Sequence, residues 1–426
     1  MNSPIWRPYT QMKDAPAPLM VRSGRGAVLE LEDGRQVLDC ISSWWVTLHG
    51  HARPEIAAAI AAQAAQLEQV IAAGFTHQPA EELARRLVGH LPFLPRLFYS
   101  DNGSTAVEVA LKMAFQYWRN QGAPGRRRFL SLEGAYHGDT LGAMSLSGRS
   151  LFTAPFAELL LPVDFVPFPQ TWLGDDAVEE REAQALEYLE DLLRRRGEEY
   201  AAMILEPLVQ GAGGMRMCRP DFLRAVEGLL RRHAVLAIYD EVFTGFGRAG
   251  EFFACQKAGA RPDILCLAKG LSGGFLPLAA TLCSEEIFQA FCSEDPRHTL
   301  YHGHSYTANP LGCASALASL ELLEKEEQRF RGMEAWHREE LARLEAHPQL
   351  TRLRTCGTIA ALEVKGAAGY LHELGPRLRA RFLERGLLLR PLGGVIYLTP
   401  PFCLERGQLA EIYGCIGEVV AELSSP

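Results

Sequence analysis

Lys269 ends the apolar run Ile264-Leu265-Cys266-Leu267-Ala268 and is followed by Gly270, Ser272, Gly273 and Gly274. An amine at a buried strand end is costly unless it has a task. Burial depresses its pKa and frees its lone pair, as imine formation with a carbonyl requires. The glycines let a flat ring lie close to the backbone. A second charged group has a similar setting. The run Val235 to Tyr239 leads into Asp240-Glu241-Val242, then Thr244-Gly245-Phe246-Gly247-Arg248. A carboxylate at the carboxyl end of a parallel strand sits where open α/β sheets bind ligands. A third segment, Ser100-Asp101-Asn102-Gly103-Ser104-Thr105, follows a strand-like run and opens a helical pattern. Small residues at such a start leave backbone N–H groups free for an anion, which the helix dipole also favours.

Each motif alone has an ordinary reading: a snorkelling lysine, a paired structural aspartate, a capped helix. Together they meet the needs of one cofactor, pyridoxal 5'-phosphate (PLP), which requires an anion site, a lysine for its aldehyde and a carboxylate for its ring nitrogen. Asp240 beside that nitrogen would keep it protonated. Val242 lies two residues on and could press on the ring from one side, while Tyr136, in Gly134-Ala135-Tyr136-His137-Gly138, could stack on the other. His137 reads as a structural histidine.

These residues need a scaffold of strands and helices. Strands are expected at 97–99, 129–131, 202–205, 235–239 and 264–268, separated by helices at 105–119, 177–196, 220–233 and roughly 285–292. Near-continuous apolar strands alternating with helices imply a parallel sheet covered on both faces. Residues 24–40 read as a hairpin turning at Asp33-Gly34. Helical patterns follow at 309–324 and 325–345, and strands near 357–364 and 395–399. The division expected is 1–49 as the N-terminal part of a small domain, 50–315 as a large PLP-binding domain, and 316–426 as the rest of the small domain.

Composition narrows the function classes. The chain has 426 residues, 48% apolar and 22% charged, which suits a protein with a large core. No apolar run spans a bilayer, and 1–20 does not read as a signal peptide. A net charge of −8 argues against nucleic acid or membrane as partner, and Arg126-Arg127-Arg128 and Arg194-Arg195-Arg196 read as solvated faces. Ten cysteines without a C-x-x-C pair suit a cytoplasmic location. His49/His51 and His302/His304 lack further ligands at metal spacing, so no metal is expected. A nucleotide- or NAD-binding enzyme is the rival of another class, but no G-x-G-x-x-G or P-loop motif accompanies the strands. A non-catalytic binding protein would leave Lys269 and Asp240 without a purpose.

Over nearly its whole length the sequence resembles the class III, fold-type I, PLP-dependent aminotransferases. The marks are Asp240-Glu241-Val242 with Thr244 to Arg248, and Lys269 with its glycines. Others resemble the branch that aminates 8-amino-7-oxononanoate in biotin biosynthesis: Trp6 to Thr10, Ser42-Ser43-Trp44-Trp45, Tyr136 to Thr140, Glu206 to Met215, and Arg390-Pro391 with Ile396 to Pro401. The resemblance implies an α/β fold with a mostly parallel central sheet in a large domain and a smaller α+β domain made from both termini. It implies ping-pong transamination in a homodimer with shared active sites. Lys269, Asp240 and Tyr136 would be catalytic. Gly103, Ser104, Tyr136, Asp240, Val242, Lys269 and the partner-derived Ser305 would hold PLP. Substrate would meet Tyr9, Trp44, Tyr136, Arg248, Lys269, Gly303, Arg390 and Tyr397, with Arg390 on its carboxylate. Trp45 is expected in the core, since adjacent strand side chains face opposite ways. His302-Gly303-His304-Ser305-Tyr306-Thr307 departs from the form typical of S-adenosylmethionine-using enzymes and is similar to relatives that take lysine, so either amine donor fits. Another class III ω-aminotransferase is the alternative.

Overall fold

The computed structural model describes residues 4–367 and 369–424; the outermost residues of the expected terminal segments, 1–3 and 425–426, lie outside it. Seven strands form the central sheet, in the order Arg96–Ser100, Ala279–Cys283, Ile264–Leu267, Leu236–Asp240, Tyr200–Leu205, Arg128–Leu132, Val163–Val166. Ala279–Cys283 alone runs antiparallel to both its neighbours. The other strands share one direction.

Why both faces are covered can be read from one strand. In Leu236–Asp240, Ile238 packs with Ala106, Val107 and Ala110 of helix Gly103–Asn120, while Ala237 and Tyr239 join the cluster on the opposite side. Alternate side chains are thus buried on opposite faces, and the strand needs apolar residues throughout. Helices Val178–Arg196 and Pro220–Arg232 match the expected 177–196 and 220–233 to within one residue at each end. Strands Val163–Val166 and Ala279–Cys283 were not expected from the sequence.

The two ends of the chain meet. Val21–Arg25, Val28–Leu31 and Gln36–Asp39 form an antiparallel set, turning through Gly34 at φ +85°, and Leu387–Leu388 adds in parallel beside Gln36–Asp39. A second sheet pairs Leu350–Cys356, Ile359–Val364 and Val395–Leu398. Its first hairpin turns at Gly357, with φ +59°. There Thr358 N–H donates to the Arg248 carbonyl at 2.9 Å and Gly357 N–H to Glu334 at 2.8 Å. A Cβ on Gly357 would run into the Ala249–Gly250 peptide. Gly357→Ala therefore combines left-handed backbone strain with overpacking, and should cost about 2–4 kcal/mol. Thermal unfolding should show a clear drop in midpoint; an unchanged midpoint would contradict this packing.

Candidate active site

The carboxyl ends of the parallel strands converge on two cavities of about 490 and 570 Å³. They share Trp45, Tyr136, Gly138, Ala212 and Lys269, so one opens onto the other at the lysine. Strand register sets this meeting point. Asp240 lies opposite Cys266, and Lys269 follows three residues later on the neighbouring strand's exit.

The inner cavity is lined by Gly103, Ser104, Tyr136, Asp240, Val242 and Lys269. Helix Gly103–Asn120 begins two residues earlier than expected, because Asn102 caps it: its side chain accepts from Thr105 N–H at 3.0 Å, and Thr105 Oγ1 accepts from Asn102 N–H at 3.1 Å. Gly103 and Ser104 thus occupy the first turn, whose N–H groups have no partner within the helix. A Cβ at Gly103 would lie 2.6 Å from Val242 Cγ1, so only glycine lets Val242 close over the helix start. Val242 is beyond the strand, held back by its N–H donating to Asp240 Oδ1 at 3.1 Å.

Asp240 Oδ2 meets His137 Nδ1 at 2.8 Å, both side chains buried. His137 therefore positions the carboxylate, a role the sequence did not reveal. Glu206 lies behind them, accepting from Tyr136 N–H and Gly211 N–H, each at 2.9 Å. Burial pushes its carboxyl up to about 7. Lys269 is lowered by burial, against the attraction of Asp240 and Glu206. Its amine sits 4.8 Å from the Trp45 ring centroid and makes no hydrogen bond or ion pair among the described residues.

The outer cavity is lined by Tyr9, Trp44, Tyr136, Arg390 and Tyr397 as well as Lys269. Tyr9 and Tyr136 both donate to Asp139 Oδ2, the latter at 3.0 Å, and burial raises Tyr9 to about 12. Asp139 itself was not singled out from the sequence, although it stands inside the quoted motif. The Arg390 guanidinium lies 4.6 Å from the Trp44 ring centroid and has no carboxylate partner among the described residues.

Two expectations need correction. Trp45 is not confined to the core: residues 42–45 form a tight helical turn, with Ser42, Ser43 and Trp45 at positive φ, and both tryptophans reach the cavities. Trp45 Nε1 donates to Tyr397 Oη at 3.3 Å. Arg248 lines neither cavity. Gly247 at φ +88° turns it inward, where it is fully buried, donates to the Pro400 carbonyl at 2.6 Å and is lowered to about 9 by burial. Gly303 and Ser305 lie in an exposed loop and line neither cavity of their own chain.

An anion seat, a desolvated amine and a buried carboxylate around one space suit a flat phosphorylated aldehyde, which places the protein among the PLP enzymes of this fold. The chain belongs to the class-III aminotransferases: the family model "Aminotransferase class-III" matches residues 9–420. It is similar to the adenosylmethionine-8-amino-7-oxononanoate aminotransferase of Synechococcus elongatus, 56% identical over 98% of this chain and 99% of that one. The protein of that name from Geobacter sulfurreducens is 41% identical over 95% and 93%. Among solved structures, that of the same-named aminotransferase from Methanocaldococcus jannaschii superposes with a TM-score of 0.91, at 36% identity over 98% and 97%. An amine transaminase from an uncultivated Pseudomonas species, in its PLP-bound form, gives 0.93 at 32% over 99% of both. The protein is a PLP-dependent aminotransferase acting on small amines and carbonyl compounds.

Glu206 yields a pH prediction. A carboxyl at about 7 in the fold, against 4.5 when unfolded, binds more protons folded than unfolded between those values. Its contribution is complete below 4.5 and is lost as pH rises through about 7. Glu206→Gln should remove this slope, so the variant gains stability relative to the parent as pH climbs through the window. Urea midpoints of the two proteins moving in parallel from pH 5 to pH 7.5 would disprove it.

Proposed function

We propose that the protein transfers the amino group of S-adenosylmethionine to 8-amino-7-oxononanoate, giving 7,8-diaminononanoate for biotin biosynthesis. The observation that carries the reading is Arg390, a guanidinium with no carboxylate partner among the described residues, on the wall of the outer cavity over Trp44. Such a group suits the carboxylate of a long keto acid whose carbonyl must reach Lys269. The names of the relatives from Synechococcus and Geobacter support the same substrates.

When bound, PLP supplies an aldehyde that captures amines and a ring that accepts the electron pair left by a departing α-proton. The chain's residues do the rest. Gly103 and Ser104 N–H groups would hold the phosphate. Asp240, oriented by His137, would pair with the ring nitrogen, and Val242 and Tyr136 would flank the ring. Lys269, favoured neutral by burial, takes the α-proton at Nζ and returns it on the carbon to which nitrogen is transferred. Trp45 and Tyr397 keep water from that amine. Tyr9, Trp44 and Tyr136 flank the substrate chain while Arg390 binds its far end.

A homodimer with shared sites fits the surface. Gln69 Nε2 donates to the Ser305 carbonyl, and His77 Nε2 lies 2.6 Å from the Ala308 carbonyl, joining two loops that present Ile71, Phe75, Tyr301 and Tyr306 to solvent. Ser305 and Gly303 would then act in the partner's site. The mixing of both chain ends in one sheet supports the division at 49 and 315, and ten free cysteines support the cytoplasm.

Lys269→Ala should lower turnover by several orders of magnitude and abolish the borohydride-reducible chromophore while phosphate anchoring persists; retained turnover would refute the assignment. Arg390→Ala should raise the acceptor KM by about tenfold to 150-fold, the value of charge-assisted hydrogen bonds. An unchanged KM for 8-amino-7-oxononanoate would leave Arg390, and the substrate, misassigned.

A further inference from the structure

One wall of the outer cavity has no part in the chemistry described so far. Phe152, in the turn after helix Leu141–Leu146, sets its ring edge-on to Tyr370, with centroids 4.7 Å apart and planes at 78°. It meets Tyr9 in the same manner at 5.7 Å and 81°. Tyr9 in turn contacts Trp44 at 5.7 Å. Four rings thus form a strip from the tryptophan beneath Arg390 to Tyr370, which is 37% exposed. The Tyr370 hydroxyl makes no hydrogen bond among the described residues.

Tyr370 has a built seat. A Cβ at Gly393 would strike the Gly369 carbonyl and lie 3.2 Å from Tyr370 Cα, and one at Gly394 would strike the Ala367 carbonyl. Gly369 and Gly393 both have positive φ, +90° and +63°. The two glycines that follow Arg390-Pro391-Leu392 therefore let the Tyr370 backbone rest directly on the Arg390 loop. The ring at the rim and the guanidinium on the wall are placed by one contact.

The two substrates differ in what they could ask of such a wall. The keto acid is an aliphatic chain and gains only from apolar area. The adenosyl donor carries a planar heteroaromatic base, which packs on aromatic faces and edges irrespective of its hydrogen-bond pattern. We infer that Phe152 and Tyr370 are specificity residues for the donor, holding its nucleobase while its amino-acid end reaches Lys269. The keto acid passes without engaging them. This rests on the adenosyl-donor reading above.

The test measures the two half-reactions of the holoenzyme separately. Parent, Phe152→Ala, Tyr370→Ala and Tyr370→Phe are assayed with S-adenosylmethionine or lysine as donor and 8-amino-7-oxononanoate as acceptor. Binding of S-adenosylhomocysteine, followed by tryptophan fluorescence, gives a readout independent of turnover. Both alanine variants should lose about 5- to 150-fold in kcat/KM for S-adenosylmethionine and in affinity for the analogue. The acceptor's kcat/KM should hold at the parent value, and Tyr370→Phe should restore most of the loss. If the parent uses S-adenosylmethionine and the alanine variants match it, or lose acceptor and donor efficiency alike, the wall is not a donor site. A parent that works with lysine and ignores S-adenosylmethionine defeats the donor reading itself, and this inference with it.

Discussion

A lysine amine kept from water, without a hydrogen bond, beside a buried carboxylate is an unfavourable thing for a fold to hold. Here the central sheet imposes it. Leu236–Asp240 and Ile264–Leu267 run parallel in a register that delivers Asp240 and Lys269 to the same space. His137 satisfies one carboxylate oxygen and Val242 N–H the other, while Lys269 has aromatic faces for neighbours. Burial favours the neutral form of the amine, which is the reactive one.

Around the pair, backbone groups do much of the positioning. Glu206 grips Tyr136 and Gly211 by their N–H groups, and Glu241 does the same for Ala254 and Cys255 at 2.6 and 2.7 Å. Arg216 donates to the Glu133 carbonyl and to Gln210, and its guanidinium packs against Gly134, which has φ +70°. The Glu206 and Arg216 contacts hold the loop that carries Tyr136, His137 and Asp139. Rigid supports of this kind let a site hold geometry against thermal motion.

What could be read from sequence follows how local each signal is. Asp240 and Lys269 end apolar strands, and Gly103-Ser104 opens an amphipathic helix; each is visible within ten residues. The sheet's parallel character was legible from the same runs. Trp45 was misjudged because a strand was assumed where three positive φ angles build a turn. Arg248 was misplaced because its destination, the Pro400 carbonyl, lies 152 residues away. Tyr9 and Asp139 are 130 residues apart, and their hydrogen bond has no signature along the chain. Strand Ala279–Cys283 escaped notice because it is an antiparallel strand inserted between parallel ones, with no helix preceding it to complete a β–α–β pattern.

The union of Leu387–Leu388 with Gln36–Asp39 has a consequence for synthesis. Every residue lining the inner cavity falls between 45 and 278, whereas the outer cavity needs Arg390 and Tyr397 together with Tyr9. A nascent chain leaving the ribosome therefore has every residue of the inner cavity well before it has Arg390 and Tyr397 of the outer one. The open edge of Gln36–Asp39 waits for almost the whole of translation before Leu387–Leu388 pairs with it.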